Sequence, residues 1–261
     1  MPRPIALVTG ASSGIGEHLA RRLAERGHDL VLVARDQSRL EALAKELEGE
    51  FGGAVQVLPA DLTDPEQLQL VEDRCRDRSA PIDMLVNNAG FGSFGAFHTL
   101  DLETEVREIQ LNVVALVRLT HAGAAEMVLR GTGGILNVSS LAGFQPGPMN
   151  ATYGATKAFV TSFTEAVHEE LLGTGVSVTV LCPGFTRTGF QLAANVPEGE
   201  VPGFLWQEAD DVAIAGLDAL AKNRAIAIPG QLNKVLGAFS SVTPHAITRR
   251  LGAAVIKRAT H

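Results

Sequence analysis

Two cysteines, one tyrosine and one tryptophan are all that 261 residues contain of these types. Cys75 and Cys182 lie far apart, and no CxxC or His/Cys cluster has metal-ligand spacing. That excludes a disulfide framework and a zinc site, so both thiols are expected to be reduced and no metal is expected. The first apolar run, Ile5 to Val8, is too short for a signal-peptide core, and no later stretch approaches a membrane span. A cytoplasmic protein is expected. Low-complexity tracts, internal repeats and composition breaks are missing too, which points to one domain over residues 1–261. A net charge of −7 argues against a general nucleic-acid binder. Asp and Glu are absent from Ala219 to His261, where Lys222, Arg224, Lys234, Arg249, Arg250, Lys257 and Arg258 make the end of the chain basic.

What is present is a rhythm of short β-branched runs, "IALVT", "DLVLVA", "AVQVLPA", "IDMLVN", "GGILNVSS", "VSVTVLCP" and "AIAIP", with helical stretches between. Continuous apolar runs suit strands buried on both faces. The pattern predicts an α/β fold, a Rossmann-like doubly wound parallel sheet of about seven strands with helices on both faces. In "SRLEALAKELEGE", Leu40, Leu43 and Leu47 fall at helical spacing, and the helix is expected to end near Gly49. Periodicity lapses over 189–207, read as an insertion that forms a substrate lid. Residues 231–261 read as a basic amphipathic tail. It would contact a membrane surface or an anionic acyl carrier, or else pack on its own body or a sister subunit.

"VTGASSGIGEHLA" follows the first strand and opens a helix. Gly10, Gly14 and Gly16 would let the backbone approach a pyrophosphate at a helix N-terminus, with Ser12, Ser13 and Ile15 completing the loop. The same letters from Gly10 to Gly14 match the GxSxG elbow of a serine hydrolase with Ser12 as nucleophile, although that elbow would need strands before it and an acid and a histidine after it. At the end of the second strand Arg35 stands where an NAD site would present an acid, and a guanidinium can pair with a 2′-phosphate. Asp36 beside it is a counter-signal.

"TGASSGIG", "NNAG" at 87–90, "NVSS" at 137–140, "YGATK" at 153–157 and "PGFTRT" at 183–188 occur in an order that resembles the short-chain dehydrogenases/reductases, from about Ile5 to Thr188. The resemblance implies an NADP(H)-dependent oxidoreductase, homodimeric or homotetrameric, with Tyr153 as acid/base and Lys157 as its electrostatic partner and ribose ligand. It also implies that Ser140 binds the substrate oxygen and that Asn112 holds a water in the proton relay. Asp61 and Leu62 would lie near adenine, Asn88, Ala89 and Gly90 under the adenosine, and Pro183, Gly184, Phe185, Thr186 and Thr188 around the nicotinamide. Asp61 could equally cap the helix of "TDPEQLQLVEDR". The chemistry is coherent: Tyr153 and Lys157, four residues apart, share a helix face, and an ammonium favours a phenolate whose ordinary pKa is about 10. Phe91, Phe94, Leu141, Phe144, Met149, Phe185, Phe190 and Trp206 are expected at the substrate pocket, which suits an apolar ketone, aldehyde or secondary alcohol. The alternative is a regulator that senses NADP without turnover.

Overall fold

The computed structural model of the chain describes residues 2–189, 203–231 and 233–234. Each of the apolar runs forms a strand: β1 (Ile5–Thr9), β2 (Asp29–Ala34), β3 (Val55–Pro59), β4 (Ile82–Asn87), β5 (Gly133–Val138), β6 (Val176–Leu181) and the last, β9 (Ile226–Ala227). They make one seven-stranded sheet in the order β3-β2-β1-β4-β5-β6-β9. Every pairing in it is parallel. Alternate side chains of a strand leave on opposite faces, so each buried strand feeds two cores. Ala6 and Val8 join Leu19, Leu23, Leu40, Leu47 and Leu217 from α1 (Gly14–Glu25), α2 (Gln37–Phe51) and α7 (Ala209–Ala221). On the other face Leu7, Val31 and Ile135 meet Leu68, Val71, Leu119 and Met127 from α3 (Pro65–Arg76) and α5 (Leu116–Arg130). The chain reverses its direction of winding between β1 and β4. Ligands of such sheets bind at that switch point, beyond the carboxyl ends of the strands.

Several boundaries differ from the sequence expectation. α2 continues past Gly49, which is exposed on the helix surface, and ends at Phe51 with Gly52 as its left-handed cap (φ 67°). α3 is capped by Asp64, which accepts from the Glu66 and Gln67 amides, with Pro65 behind it. Asp61 instead accepts from the Thr63 amide and hydroxyl, so it closes a turn and is not the helix cap. The helix from Leu102 is interrupted: α4 (Leu102–Ile109) passes through a π-helical turn (Gln110–Ala115) into α5. Two short strands, β7 (Thr186–Arg187) and β8 (Gln207–Glu208), pair in parallel beside the main sheet. Most of the expected lid and nearly all of the basic tail lie outside the described residues. Both cysteines are free and buried, which pushes their thiols up to about 12. Among the described residues no helix is long and apolar enough to cross a membrane, and no cluster could hold a metal ion.

Candidate active site

A cavity of about 1530 Å³ opens at the carboxyl ends of the strands. Its floor is the loop between β1 and α1. Gly10 (φ 66°) and Gly14 (φ 59°) occupy the left-handed region that glycine tolerates without a steric penalty. A Cβ on Gly10 would lie 2.8 Å from Asn88 Nδ2, and one on Gly14 3.1 Å from the Thr188 side chain. Ser13 precedes α1 without a side-chain cap bond, so the first amides of the helix have no competing acceptor from it. This bare, close-approach N-terminus fits a pyrophosphate. Gly16 has a different task, since it packs behind the loop and does not line the cavity. Asn88 ties the pieces together: its Nδ2 donates to the Thr9 and Gly10 carbonyls at 3.0 and 3.2 Å, and the Asn88 and Ala89 amides donate to Thr9 Oγ1.

The hydrolase alternative finds no machinery among the described residues. Among the described non-glycine residues only Met149 and Asn223 have positive φ, so Ser12 lacks the strained turn of a nucleophile elbow. Among the described residues no histidine lines the cavity.

At one end of the cavity Arg35 leaves β2 exposed to solvent. Asp36 also borders the cavity, but its carboxylate caps α2: it accepts from the Arg39 amide at 3.1 Å and pairs with the Arg39 guanidinium at 3.3 Å. Hydrogen bonds from Ser38 and then Arg39 hold that carboxyl below its ordinary range. The acidic neighbour is thus committed to the helix. Asp61 and Leu62 line the same end. Burial pushes the Asp61 carboxyl up, but the Thr63 bonds and the charges of Arg35 and Arg107 outweigh it, and the net shift is downward. Arg39 and Arg107 complete this basic rim, and neither was singled out from the sequence. Arg39 had a usable signal, because it opens the helix that follows the Arg35 strand. Arg107 reaches the rim only through the fold.

At the other end stand Ser140, Tyr153 and Lys157. Ser140, two residues past the end of β5, caps the short helical turn Leu141–Phe144 with its Oγ accepting from the Ala142 amide at 3.1 Å, while Tyr153 and Lys157 lie on α6 (Ala151–Glu170). The Ser140 side chain also hydrogen-bonds the phenol. Its neighbour Ser139 is buried and turned away, donating to the Lys157 carbonyl at 2.8 Å. Lys157 Nζ donates to the Val138 carbonyl at 3.0 Å and lies 5.6 Å from the centre of the Tyr153 ring. Asn112, within the π turn, forms a reciprocal pair with the Phe91 backbone (3.1 and 2.8 Å) and donates to Thr156 at 3.1 Å. Its Oδ1 would be 2.9 Å from a Cβ on Gly90, and Lys157 Nζ 3.4 Å, so glycine is what lets these groups converge. A π turn leaves backbone carbonyls without their usual partner, a common device at functional sites.

The protein groups alone push the Tyr153 phenol up, to about 12, because burial disfavours the phenolate more than the Ser140 bond favours it. Burial also brings Lys157 down to about 8 from 10.5. A lysine lowered in this way penalises the folded state fully below about 8, and the penalty is relieved as pH rises from about 8 to 10.5. Wild type is therefore expected to gain about 3 kcal/mol on Lys157→Met between pH 7 and 10.5, from a shift of 10.5 to about 8. Denaturant unfolding of both proteins across that range measures it, and parallel pH profiles would exclude it.

Phe91, Phe94, Leu141 and Phe185 line the cavity. Phe144 does not: it packs on Leu116, Val160, Val180 and Cys182. Met149 adopts a left-handed turn (φ 65°) whose carbonyl accepts from the Gly95 amide, and it too is absent from the lining. Phe190 lies outside the described residues. Trp206 sits against Phe185, with ring centres 5.9 Å apart, and borders a smaller neighbouring pocket. Pro183, Gly184, Thr186 and Thr188 line the cavity.

A doubly wound sheet with a glycine-lined cradle and a serine, tyrosine and lysine at its far end is the architecture of a dinucleotide-dependent oxidoreductase. Residues 4–198 match the short chain dehydrogenase family model, and the chain belongs to that family. It is 33% identical over 251 residues to a ketoacyl reductase from Nostoc sp., covering 93% of this chain and 86% of the relative. A short-chain dehydrogenase from Sphingobium yanoikuyae, solved in complex with NADPH, is 40% identical with a TM-score of 0.83, covering 93% of this chain and 97% of that one. The bulky-bulky ketone specific alcohol dehydrogenase from Comamonas testosteroni is 35% identical with a TM-score of 0.79, over 94% and 97% of the two chains.

Proposed function

We propose that this protein is an NADPH-dependent reductase of apolar ketones or aldehydes, able to run in reverse on the secondary alcohols. The observation that carries the reading is the continuity of one cavity from the Arg35 and Arg39 rim, over the glycine cradle, to Ser140, Tyr153 and Lys157 between apolar walls. Arg35, with Asp36 engaged elsewhere, would meet the 2′-phosphate of NADP, the cradle its pyrophosphate, and Lys157 the ribose. Bound cofactor supplies hydride and, once oxidised, a positive charge. Ser140 would hold the substrate oxygen by hydrogen bonding while Tyr153 delivers a proton to it. Because burial keeps the phenol raised in the polypeptide even with Lys157 beside it, lowering it is a task for the cofactor's positive charge added to that ammonium. Asn112 fixes the Phe91 loop and the π turn, which would seat a water behind Lys157. The NADPH complex of the Sphingobium relative and the ketone named for the Comamonas relative support the cofactor and substrate class.

Following nicotinamide absorbance over a carbonyl panel tests this. Turnover with NADPH and bulky apolar ketones is expected, with Arg35→Ala raising the KM for NADPH about ten- to a hundredfold, as befits loss of a charged hydrogen bond of ~1.5–3 kcal/mol, and leaving NADH unchanged. A preference for small charged sugars would sink the substrate class, equal use of NADH the cofactor, and no turnover at all would favour the NADP-sensing regulator.

A further inference from the structure

Two carboxyl groups stand behind the site with no assigned task. Glu108 on α4 is fully buried (0% exposed) and Glu105, three residues earlier, is 4% exposed. Each has one oxygen without a hydrogen-bond partner and one with. Glu108 Oε2 accepts from the Ser93 amide at 2.9 Å, and Glu105 Oε2 accepts from the Thr152 hydroxyl. Those two partners flank the tyrosine. Ser93 belongs to the loop whose Gly92 abuts the phenol ring, where a Cβ would be 2.7 Å from Tyr153 Cδ2, and Thr152 immediately precedes Tyr153. Helix α4 therefore holds, through two acceptors, both the loop that abuts the phenol ring and the residue that precedes Tyr153 on α6.

We propose that Glu108, supported by Glu105, is a positioning residue of the Tyr153 centre, which fixes the Ser93 loop against the phenol ring and, through its own ionisation, sets the field in which Tyr153 and Lys157 hold their protons. The proposal rests on the reading of Tyr153 as acid/base. The titratable groups facing Glu108 are Glu105 on its own helix and Lys157 and Tyr153 on α6; residues 88–95 of the intervening loop carry none. Two buried carboxyls a helical turn apart disfavour double ionisation. Burial pushes the Glu108 carboxyl up to about 7, the charge of Glu105 adding to the rise and Lys157 opposing it. A negative Glu108 in turn raises both the phenol and the ammonium. Near neutrality a proton on Glu108 thus favours release of the one on Tyr153.

Because the chain has one tyrosine, [13Cζ]tyrosine labelling yields a single phenol resonance that reports this residue with no need for turnover. The full chain is titrated with and without NADP+, as wild type, Glu108→Gln and Glu108→Met. In Glu108→Gln the amide oxygen can still accept from Ser93, so amide exchange at Ser93 is expected to stay slow. Its tyrosine midpoint should fall by about half a pH unit or more, the effect of removing one nearby negative charge. In Glu108→Met exchange at Ser93 should quicken at least about tenfold, with kcat lowered and the KM for NADPH little changed. An unmoved tyrosine midpoint in Glu108→Gln overturns the electrostatic role even if the Met variant fails to fold, and unchanged Ser93 exchange in a folded Met variant overturns the positioning role. Should no carbonyl be reduced while the resonance still moves, the proposed function fails and the coupling of Glu108 to Tyr153 stands.

Discussion

Tyr153→Phe is expected to lower kcat about 10²- to 10⁴-fold, the usual share of a positioned acid/base, while the Kd for NADPH stays within about threefold. The substitution removes one hydroxyl and leaves the ring, which is the part that Gly92 packs against and over which Lys157 sits. Packing of the pocket therefore survives, and what disappears is the proton and its bond to Ser140. Ser140→Ala should cost less, since it removes a hydrogen bond to the oxygen and leaves the donor in place, and the Ala142 amide it also serves sits in a short turn that water can reach. Stopped-flow hydride transfer separates these from changes in product release. Turnover of Tyr153→Phe close to wild type would remove the phenol from the mechanism, and a parallel collapse of NADPH binding would show that the ring, not the proton, had been lost.

The site was legible where chemistry and backbone geometry coincide in sequence. Buried parallel strands are unbroken apolar runs, so β1 to β6 and β9 could be read directly, down to the two-residue β9 within "AIAIP". The residues of the cradle were legible because positive φ and close approach leave few alternatives to glycine. Direction was not legible. Phe144 and Phe91 look alike in one dimension, and only the packing of the short helical turn after Ser140 sends Phe144 into the core and not toward the cavity. Glu105 and Glu108 were hidden for the opposite reason: in "LETEVREI" charged residues suggest a solvated face, yet these two are the buried ones, while Leu102, Val106 and Ile109 are exposed along with Glu103 and Arg107. Two carboxylates face inward there, which no periodicity rule anticipates. Helix ends failed through local competition: Gly49 lies where α2 still has partners for its backbone, and Asp64, one residue before Pro65, outcompetes Asp61 as a cap.

Gly16→Ala and Gly49→Ala make the same chemical change in two helices and are expected to have opposite signs. At Gly16 the new Cβ would fall 2.2 Å from the Gly10 carbonyl oxygen and 2.4 Å from Asn88 Nδ2. The first of these is backbone and cannot rotate away, and the second already bonds the Thr9 and Gly10 carbonyls, so relief must come from displacing the cradle itself. Overpacking of this kind costs ~1–3 kcal/mol, and because Gly10 moves, NADPH affinity should drop at least about tenfold in addition. At Gly49 a Cβ would meet nothing within 4 Å, and the residue lies inside a continuous helix. There the higher helix propensity of alanine is worth roughly 0.8–1 kcal/mol of added stability, with cofactor binding untouched. Denaturant midpoints and calorimetric NADPH titrations of both variants measure the pair. If Gly16→Ala unfolded like wild type and bound NADPH normally, the glycine would be serving neither loop geometry nor cradle, and the close contact between α1 and Gly10 would have no part in forming the site.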